Sequence, residues 1–451
     1  MDLWAVSSLL IPTIVFSAII NYCLFSKRRH APQKTTAAFS GTTVVKPYPI
    51  IGNLPYFVKN RDRILDWIVE LLTGSTTGTV TVAPFIFTAD PAAVEHISRS
   101  HFTSYQKGHT VTTSLHDFLG DGIFNNNGEN WRLQRKTASF EFNTSSLRNF
   151  IHSAVSRELD TRLLPLLTQS AKNGSAVDLQ DAFERFAFDN VCYLVFDADL
   201  AILGGGKAAE DGEIFYQAFE EAAHLSIQRW SYPFHWMWKL MRWLNAGSER
   251  RLQASVAQVR LSIKKLMRRR CNTGTRSDLL SKFAESGEHS DDSLLDILVS
   301  FILAGRDTTP SALTWFFWAL SSAPPNVTRL ILEEIKSVKS KRSNSGMNGV
   351  FTLEELRGMQ YLHAALTESM RLHTPVPMLP RECIEDDVLP DGTVVKKGWT
   401  VMYSAFAMGR SERVWGKDWE EFKPERWWRM GFSSRKVLSG IRCFILGRGC
   451  V

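Results

Sequence analysis

The chain has 451 residues, 44% of them hydrophobic, and a formal net charge of +7. That is ample material for a large core, and length alone suggests two or three domains. The charge is modest and no long basic block stands out, which argues against nucleic-acid binding and fits a protein facing an anionic membrane surface. The six cysteines, Cys23, Cys192, Cys271, Cys383, Cys443 and Cys450, are scattered without a C-x-x-C pair. Neither a disulfide framework nor a zinc site is expected, and the compartment is expected to be reducing.

The chain opens with "LWAVSSLLIPTIVFSAIINYCLF", 23 residues without a charge, followed at once by Lys27, Arg28 and Arg29. A helix needs about 20 apolar residues to cross a bilayer. Basic residues stay on the cytosolic side, so an uncleaved anchor over 1–26 is expected, with the bulk of the chain in the cytosol. A cleaved signal peptide is the rival reading; its charges would precede the apolar run.

Residues 27–46 read as a linker, and Pro47, Pro49 and Pro55 stiffen the stretch after it. "GTVTVAPFIFTAD" predicts a hairpin. From about 91 to 385 the apolar spacing is mostly helical. "LGGGKAAEDG" lacks the spacing and hydroxyl of a phosphate loop and reads as a flexible loop. "KSVKSKRSNSGMNGV" reads as a solvated basic loop, and "DDVLPDGTVVKKGWTVMYSA" as strands turning at Pro390-Asp391-Gly392.

Three constellations carry chemistry. "FILAGRDTTPSALTWFFW" is a long apolar helix with Asp307, Thr308 and Thr309 in its middle. Burying such groups is costly without partners. Ala304 and Gly305 leave room for a flat ligand, and an acid–alcohol pair beside a gap suits proton delivery. A kinked helix with hydroxyls bonded back to its own backbone reads equally well. In "ALTESMRLHTPVPMLPREC", Glu368 and Arg371 share a helix face, and a proline-rich exit leads on to Arg381. Arg426 in "EEFKPERWW" could close a buried network with that pair, but E-x-x-R also occurs at Glu129/Arg132 and Glu354/Arg357, and spacing alone favours unrelated surface charges. Trp131 and Arg135, four apart in "GENWRLQRKTASFEF", could hold a carboxylate; an Arg lying over a Trp is the plainer reading.

In order and spacing, "YPIIGNLP", "NWRLQR", "AGRDTT", "ESMR" and "FKPERW" resemble the signatures of the membrane-bound cytochrome P450 haem-thiolate monooxygenases, from about residue 30 to 428. "FILAGRDTTPSALTWFFWAL" and "LGDGIFNNNGENWRLQRKTASFEFN" further resemble the plant subgroup that hydroxylates fatty acyl chains near the ω end, which includes enzymes acting on jasmonoyl–isoleucine. The resemblance implies a mainly α fold with small β-sheets, a haem-monooxygenase domain over 47–432, haem b, dioxygen, and electrons from an NADPH-dependent flavoprotein reductase. It also implies an endoplasmic-reticulum anchor in the membrane lipid and a fatty acyl substrate. By position, Asp307 and Thr308 would deliver protons to dioxygen. Ala304 and Gly305 would line the oxygen groove. Trp131, Arg135 and Arg381 would hold the haem propionates, and Glu368, Arg371 and Arg426 would form the network behind the haem. The Trp-dense 229–247 stretch would lie near the substrate entrance and the membrane, with plain helix packing an equal reading.

The pattern breaks in the tail, 433–451. The family's haem loop reads F-x-x-G-x-R-x-C-x-G and a further helix follows it. Here Phe444 and Gly447 are in step, Gly449 stands at the Arg position and Cys450 comes one residue early. Reading the codons of 441–451 one base earlier permits Y-P-V-F-H-F-G-P-R-V-C-L, which restores F-x-x-G-x-R-x-C. The expectation is an out-of-frame tail that lacks the haem loop and final helix, with Cys450 a mis-spaced metal ligand and haem binding impaired. The alternative function is a non-catalytic, haem-deficient remnant of the fold.

Overall fold

β-Branched and aromatic residues in "GTVTVAPFIFTAD" form the expected antiparallel hairpin of β2 (Thr79–Val82) and β3 (Phe85–Thr88). The computed structural model describes residues 43–429, apart from 49–51, 143–144, 206–208, 233–234, 272–289 and 342–349. The expected anchor over 1–26, nearly all of the linker, Pro49, and the tail with Cys443 and Cys450 lie outside the described residues. No described helix is long and apolar enough to cross a membrane.

The hairpin seeds a six-stranded sheet ordered β1-β2-β3-β8-β5-β4. Its other strands are β1 (Thr43–Val44), β4 (Tyr105–Gln106), β5 (Met378–Cys383) and β8 (Thr400–Ser404). β6 (Asp387–Val388) and β7 (Val394–Val395) pair separately across the predicted turn, where Gly392 takes a φ of 86°. Val80, Val82 and Phe87 share one face of the sheet and are buried in one cluster with Trp67, Ile68 and Leu72 of α1 (Ile64–Thr73). Next in sequence come α2 (Pro91–Glu95), α3 (His109–Leu119), α4 (Gly128–Phe142) and α5 (Ser145–Glu158).

The larger core is helical. α6 (Leu179–Phe196) starts at Asp178, whose carboxylate accepts from Gln180 N–H at 2.9 Å and Asp181 N–H at 3.2 Å. Its Phe188, Val191, Cys192 and Val195 recur every three or four residues and are buried, as a core-facing stripe requires. They pack with α7 (Glu210–Gln228) and with Leu295, Leu298, Val299 and Ile302 of α10 (Asp291–Ser322). Burying one such large side chain contributes about 1.5–3 kcal/mol. α10 continues through Pro310, which cannot donate to the carbonyl of Arg306 one turn back.

α8 (His235–Trp243) and α9 (Gly247–Cys271) complete the helical lobe. Here the Trp-dense stretch divides. Trp238 is 1% exposed and lies under Arg229, while Trp243 is 80% exposed. Arg229 donates to Glu249 at 2.9 and 2.6 Å, to Asp117 at 2.6 Å and to the Ser114 carbonyl at 2.7 Å, tying α3, α7 and α9 together.

Two further helices join the lobes: α11 (Gln360–Leu372), whose Arg371 donates to the Gly409 carbonyl beyond β8, and α12 (Glu425–Arg429). The "LGDG" turn after α3 lies hard against α10. Gly120 has a φ of +49°, and a Cβ there would overlap the Asp296 carboxylate. The same carboxylate accepts from Asp121 N–H at 2.9 Å and pairs with Arg260 at 2.7 Å.

Candidate functional site

The β4–β5 ladder positions the first group of residues. Tyr105 pairs with Cys383 and Gln106 with Glu382. Lys107 thus lies beside Arg381, and both line a cavity of about 120 Å³ shared with Phe102, Asn127, Trp131 and Arg132. α4 supplies Trp131, whose ring packs on Phe102 at 5.1 Å. Its Nε1–H is buried and has no acceptor among the described residues. Arg381 donates to the Pro380 carbonyl at 2.9 Å. Arg132 stands on the rim and pairs with Glu129 at 2.5 Å. Arg135, expected beside Trp131, is not among the lining residues.

Lys107 is the member that motif reading missed. Its Nζ donates to the Ile123 carbonyl and, at 2.8 Å, to the Asn126 carbonyl, and lies 5.8 Å from the Trp131 ring centroid. Burial, and secondarily the Arg381 cation, lower its pKa to about 7. A neutral amine has two N–H groups, and the two carbonyls take both. Protonation adds a third donor. With the unpaired indole N–H and Arg381 nearby, the cavity is built for an anion.

The second group sits on α10. Thr308 Oγ1 donates to the Ala304 carbonyl at 2.7 Å, the back-bonding that the sequence left open against an active hydroxyl. Asp307 pairs with its neighbour Arg306 at 2.7 Å. Its carboxyl is pushed above the usual range by desolvation, which Arg306 only partly offsets. The Arg306 side chain is 8% exposed; Glu184 lies 3.9 Å away, Glu220 3.8 Å and the Tyr216 ring 5.1 Å. Asp307 itself is half-buried, and its partner is the buried arginine inside "AGRDTT". Gly305 faces α6: a Cβ there would stand 2.9 Å from Val191 Cγ2, so its missing side chain serves close helix packing.

The third group is the buried network. Glu368 and Arg371 have side chains 0% and 1% exposed. Arg371 donates to the Glu368 oxygens at 2.8 and 2.7 Å, and also to the Gly409 carbonyl at 2.5 Å. Glu368 also accepts from Trp427 Nε1 at 2.8 Å, Lys423 N–H at 3.1 Å and Arg426 Nε at 3.4 Å. Arg426 then reaches Asp418 at 2.9 Å. Spacing alone favoured unrelated surface charges; the structure instead closes a network, because α12 folds back over α11. Glu129–Arg132, the same E-x-x-R spacing, is an exposed pair.

Comparison with known proteins agrees with this arrangement. The Cytochrome P450 family profile matches residues 44–435. The chain belongs to the cytochrome P450 family. It is 46% identical to Cytochrome P450 CYP94D108 of Paris polyphylla over 402 residues, covering 89% of this chain and 78% of the relative. It is 43% identical to Cytochrome P450 94A1 of Vicia sativa over 396 residues, 85% and 74% of the two chains. It is 39% identical to Cytochrome P450 94B1 of Arabidopsis thaliana over 445 residues, 96% and 84% of the two chains. Within the cytochrome P450 family it thus groups with the relatives numbered 94, and the family's activity is that of a monooxygenase, an oxidoreductase.

The cytochrome P450 cofactor is haem, and the residues present fit its anionic edge. Trp131 Nε1 lacks an acceptor, Lys107 gains a donor on protonation, and Arg381 stands beside them. Neither described free cysteine suits the iron. Cys192 is fully buried in the helical core, which pushes its thiol up. Burial likewise raises Cys383, whose thiol donates to the Glu385 carbonyl at 2.8 Å. Cys450 lies outside the described residues.

Proposed function

We propose that the chain is a haem-dependent monooxygenase that hydroxylates a fatty acyl or fatty-acid-derived substrate, using dioxygen and electrons passed from NADPH through a flavoprotein reductase. Haem, when bound, supplies the oxygen-activating chemistry. Trp131, Lys107 and Arg381 would hold its carboxylates, with Lys107 taking up a solvent proton to gain the third N–H that donates to the anion. Asp307, with its raised pKa, and Thr308 hold and pass protons on α10. The observation that carries this reading is the buried, unpaired Trp131 N–H in a cavity that Lys107 and Arg381 also line, in a chain of this family. The likeness of the α10 segment to the fatty acyl hydroxylases supports the substrate class. The uncharged N-terminal run supports an endoplasmic-reticulum anchor with the catalytic domain cytosolic. The exposed Trp230, Trp236 and Trp243 would then lie against the lipid.

A second reading has its own support in the sequence. Gly449 replaces the expected Arg and Cys450 falls one residue early, which fits a frame-shifted, haem-deficient remnant. One experiment separates the two. The full chain and a frame-corrected version are expressed in membranes with the reductase, and the reduced carbon monoxide difference spectrum is recorded. A thiolate–haem band in both supports a working enzyme as written; a band only in the corrected version supports the frame shift. Fatty acids and their amide conjugates are then offered to the haem-loaded protein. If a loaded protein hydroxylates none of them, the substrate assignment fails.

A further inference from the structure

Away from the cavity, metal-ligating side chains meet at one edge of the sheet lobe. After α2 the chain makes a π turn over His96–Ser100, closed by His101 N–H donating to the His96 carbonyl at 2.8 Å. Such a turn sets residues five apart over one another, and π turns recur at functional sites. The two imidazoles stack, with centroids 3.9 Å apart and planes 19° from parallel. Asp387, at the start of β6, completes the group. Its Oδ2 lies 2.8 Å from His96 Nε2 and accepts from the Tyr105 hydroxyl at 2.8 Å, while Oδ1 accepts from Val388 N–H at 2.8 Å. One ligand atom from each of His96, His101 and Asp387 lies within 4.8 Å of the others. The His96 and Asp387 side chains are 12% and 16% exposed, and His101 is open to water.

Two imidazole nitrogens and a carboxylate oxygen are ligands that zinc takes, with water in the fourth place. Tetrahedral zinc spaces its ligand atoms by about 3.4 Å. The His96–Asp387 contact need therefore open by only about half an ångström as the ion replaces the hydrogen bond, while the exposed His101 ring turns out of the stack so that its in-plane lone pair meets the same ion. Tyr105 and Val388 hold the carboxylate from behind, as outer-shell partners do. The scattered cysteines argue against a zinc site, but this set uses none of them.

We propose that His96, His101 and Asp387 form a binding site for a divalent transition metal of the zinc type. The ion fastens the π turn to β6. It also bears on the anion cavity, because Tyr105 both supports Asp387 and lines that cavity. The site stands independently of the haem reading.

The test titrates the full chain with Co(II) as a coloured stand-in, then displaces it with Zn(II). Wild type is expected to develop the d–d bands of a nitrogen–oxygen site, without thiolate charge-transfer bands, and to lose them to zinc. His101→Ala, at an exposed position, is expected to keep the wild-type unfolding curve and to lose that equivalent, or to weaken it at least ~10-fold. Asp387→Asn is expected to weaken it as well. Equal stoichiometry and affinity in wild type and His101→Ala, or a thiolate band that marks the metal as bound to cysteine, would overturn the proposal.

Discussion

Around Glu368 the buried charges meet one another; around Trp131 they do not. Both clusters put arginine or lysine beside an indole N–H in a sheltered place. In the first, Trp427 donates to Glu368 at 2.8 Å and both arginines reach the same carboxylate. In the second, the Trp131 N–H has no acceptor, and no described carboxylate lines the wall. A charge cluster that satisfies itself holds elements together, whereas one left with spare donors is shaped for something the chain does not supply. Desolvated donors are too costly to leave open without a return.

The largest effect should come from breaking the closed cluster. Glu368→Gln leaves Arg371 buried without a counter-charge, while Arg426 keeps only Asp418, and such losses cost about 3–5 kcal/mol. Denaturant unfolding should show that drop, or the variant should fail to accumulate folded. A loss below about 1 kcal/mol would mean that water reaches the arginines and the cluster is not closed. Trimming Trp427 to Phe keeps the ring and removes only a bond to a charged acceptor, so a smaller loss of about 1.5–3 kcal/mol is expected.

The difference between the clusters was only partly legible in the sequence. The hairpin, the long α10 and the turn at Gly392 follow from local patterns, and the structure has them. The Glu368 network could be suspected from order along the chain, but not separated from Glu129/Arg132, because burial depends on α12 returning over α11. Lys107 was invisible for a similar reason. Its neighbours Ile123, Asn126, Trp131 and Arg381 come from separate segments, and only the β4–β5 register gathers them. Gly305 signals closeness but not direction; the face it presents to Val191 is fixed by how α6 packs. The His96–His101 stack depends on a π turn, which apolar spacing does not announce.

Lys107 gives the open cluster a pH signature. Its folded pKa, about 7, lies below its unfolded value. Between the two, the unfolded chain binds the extra proton. Stability should therefore rise with pH through that window, by up to about 1.4 kcal/mol per pH unit, and the penalty is fully present below it. An anion in the cavity favours the charged lysine, so anion binding should tighten as pH falls through about 7. Lys107→Met should flatten both dependences. Unfolding curves and a pyrophosphate titration across pH, each compared with wild type, read the two effects. Unchanged slopes in the variant would assign the titration to another group.

The smallest expected effect is the most telling when set beside Trp427→Phe. Trp131→Phe removes a buried donor that has no partner, so the lost N–H carries no hydrogen bond with it. The smaller ring gives up some contact with Phe102, and removing a desolvated polar group offsets that loss. The net change in stability should stay within about 1 kcal/mol. Anion or haem retention should weaken in the same variant, because the donor acts only when an acceptor arrives. If Trp131→Phe destabilised the unliganded protein as much as Trp427→Phe, its N–H would already be satisfied within the fold. The two clusters would then be the same kind of object.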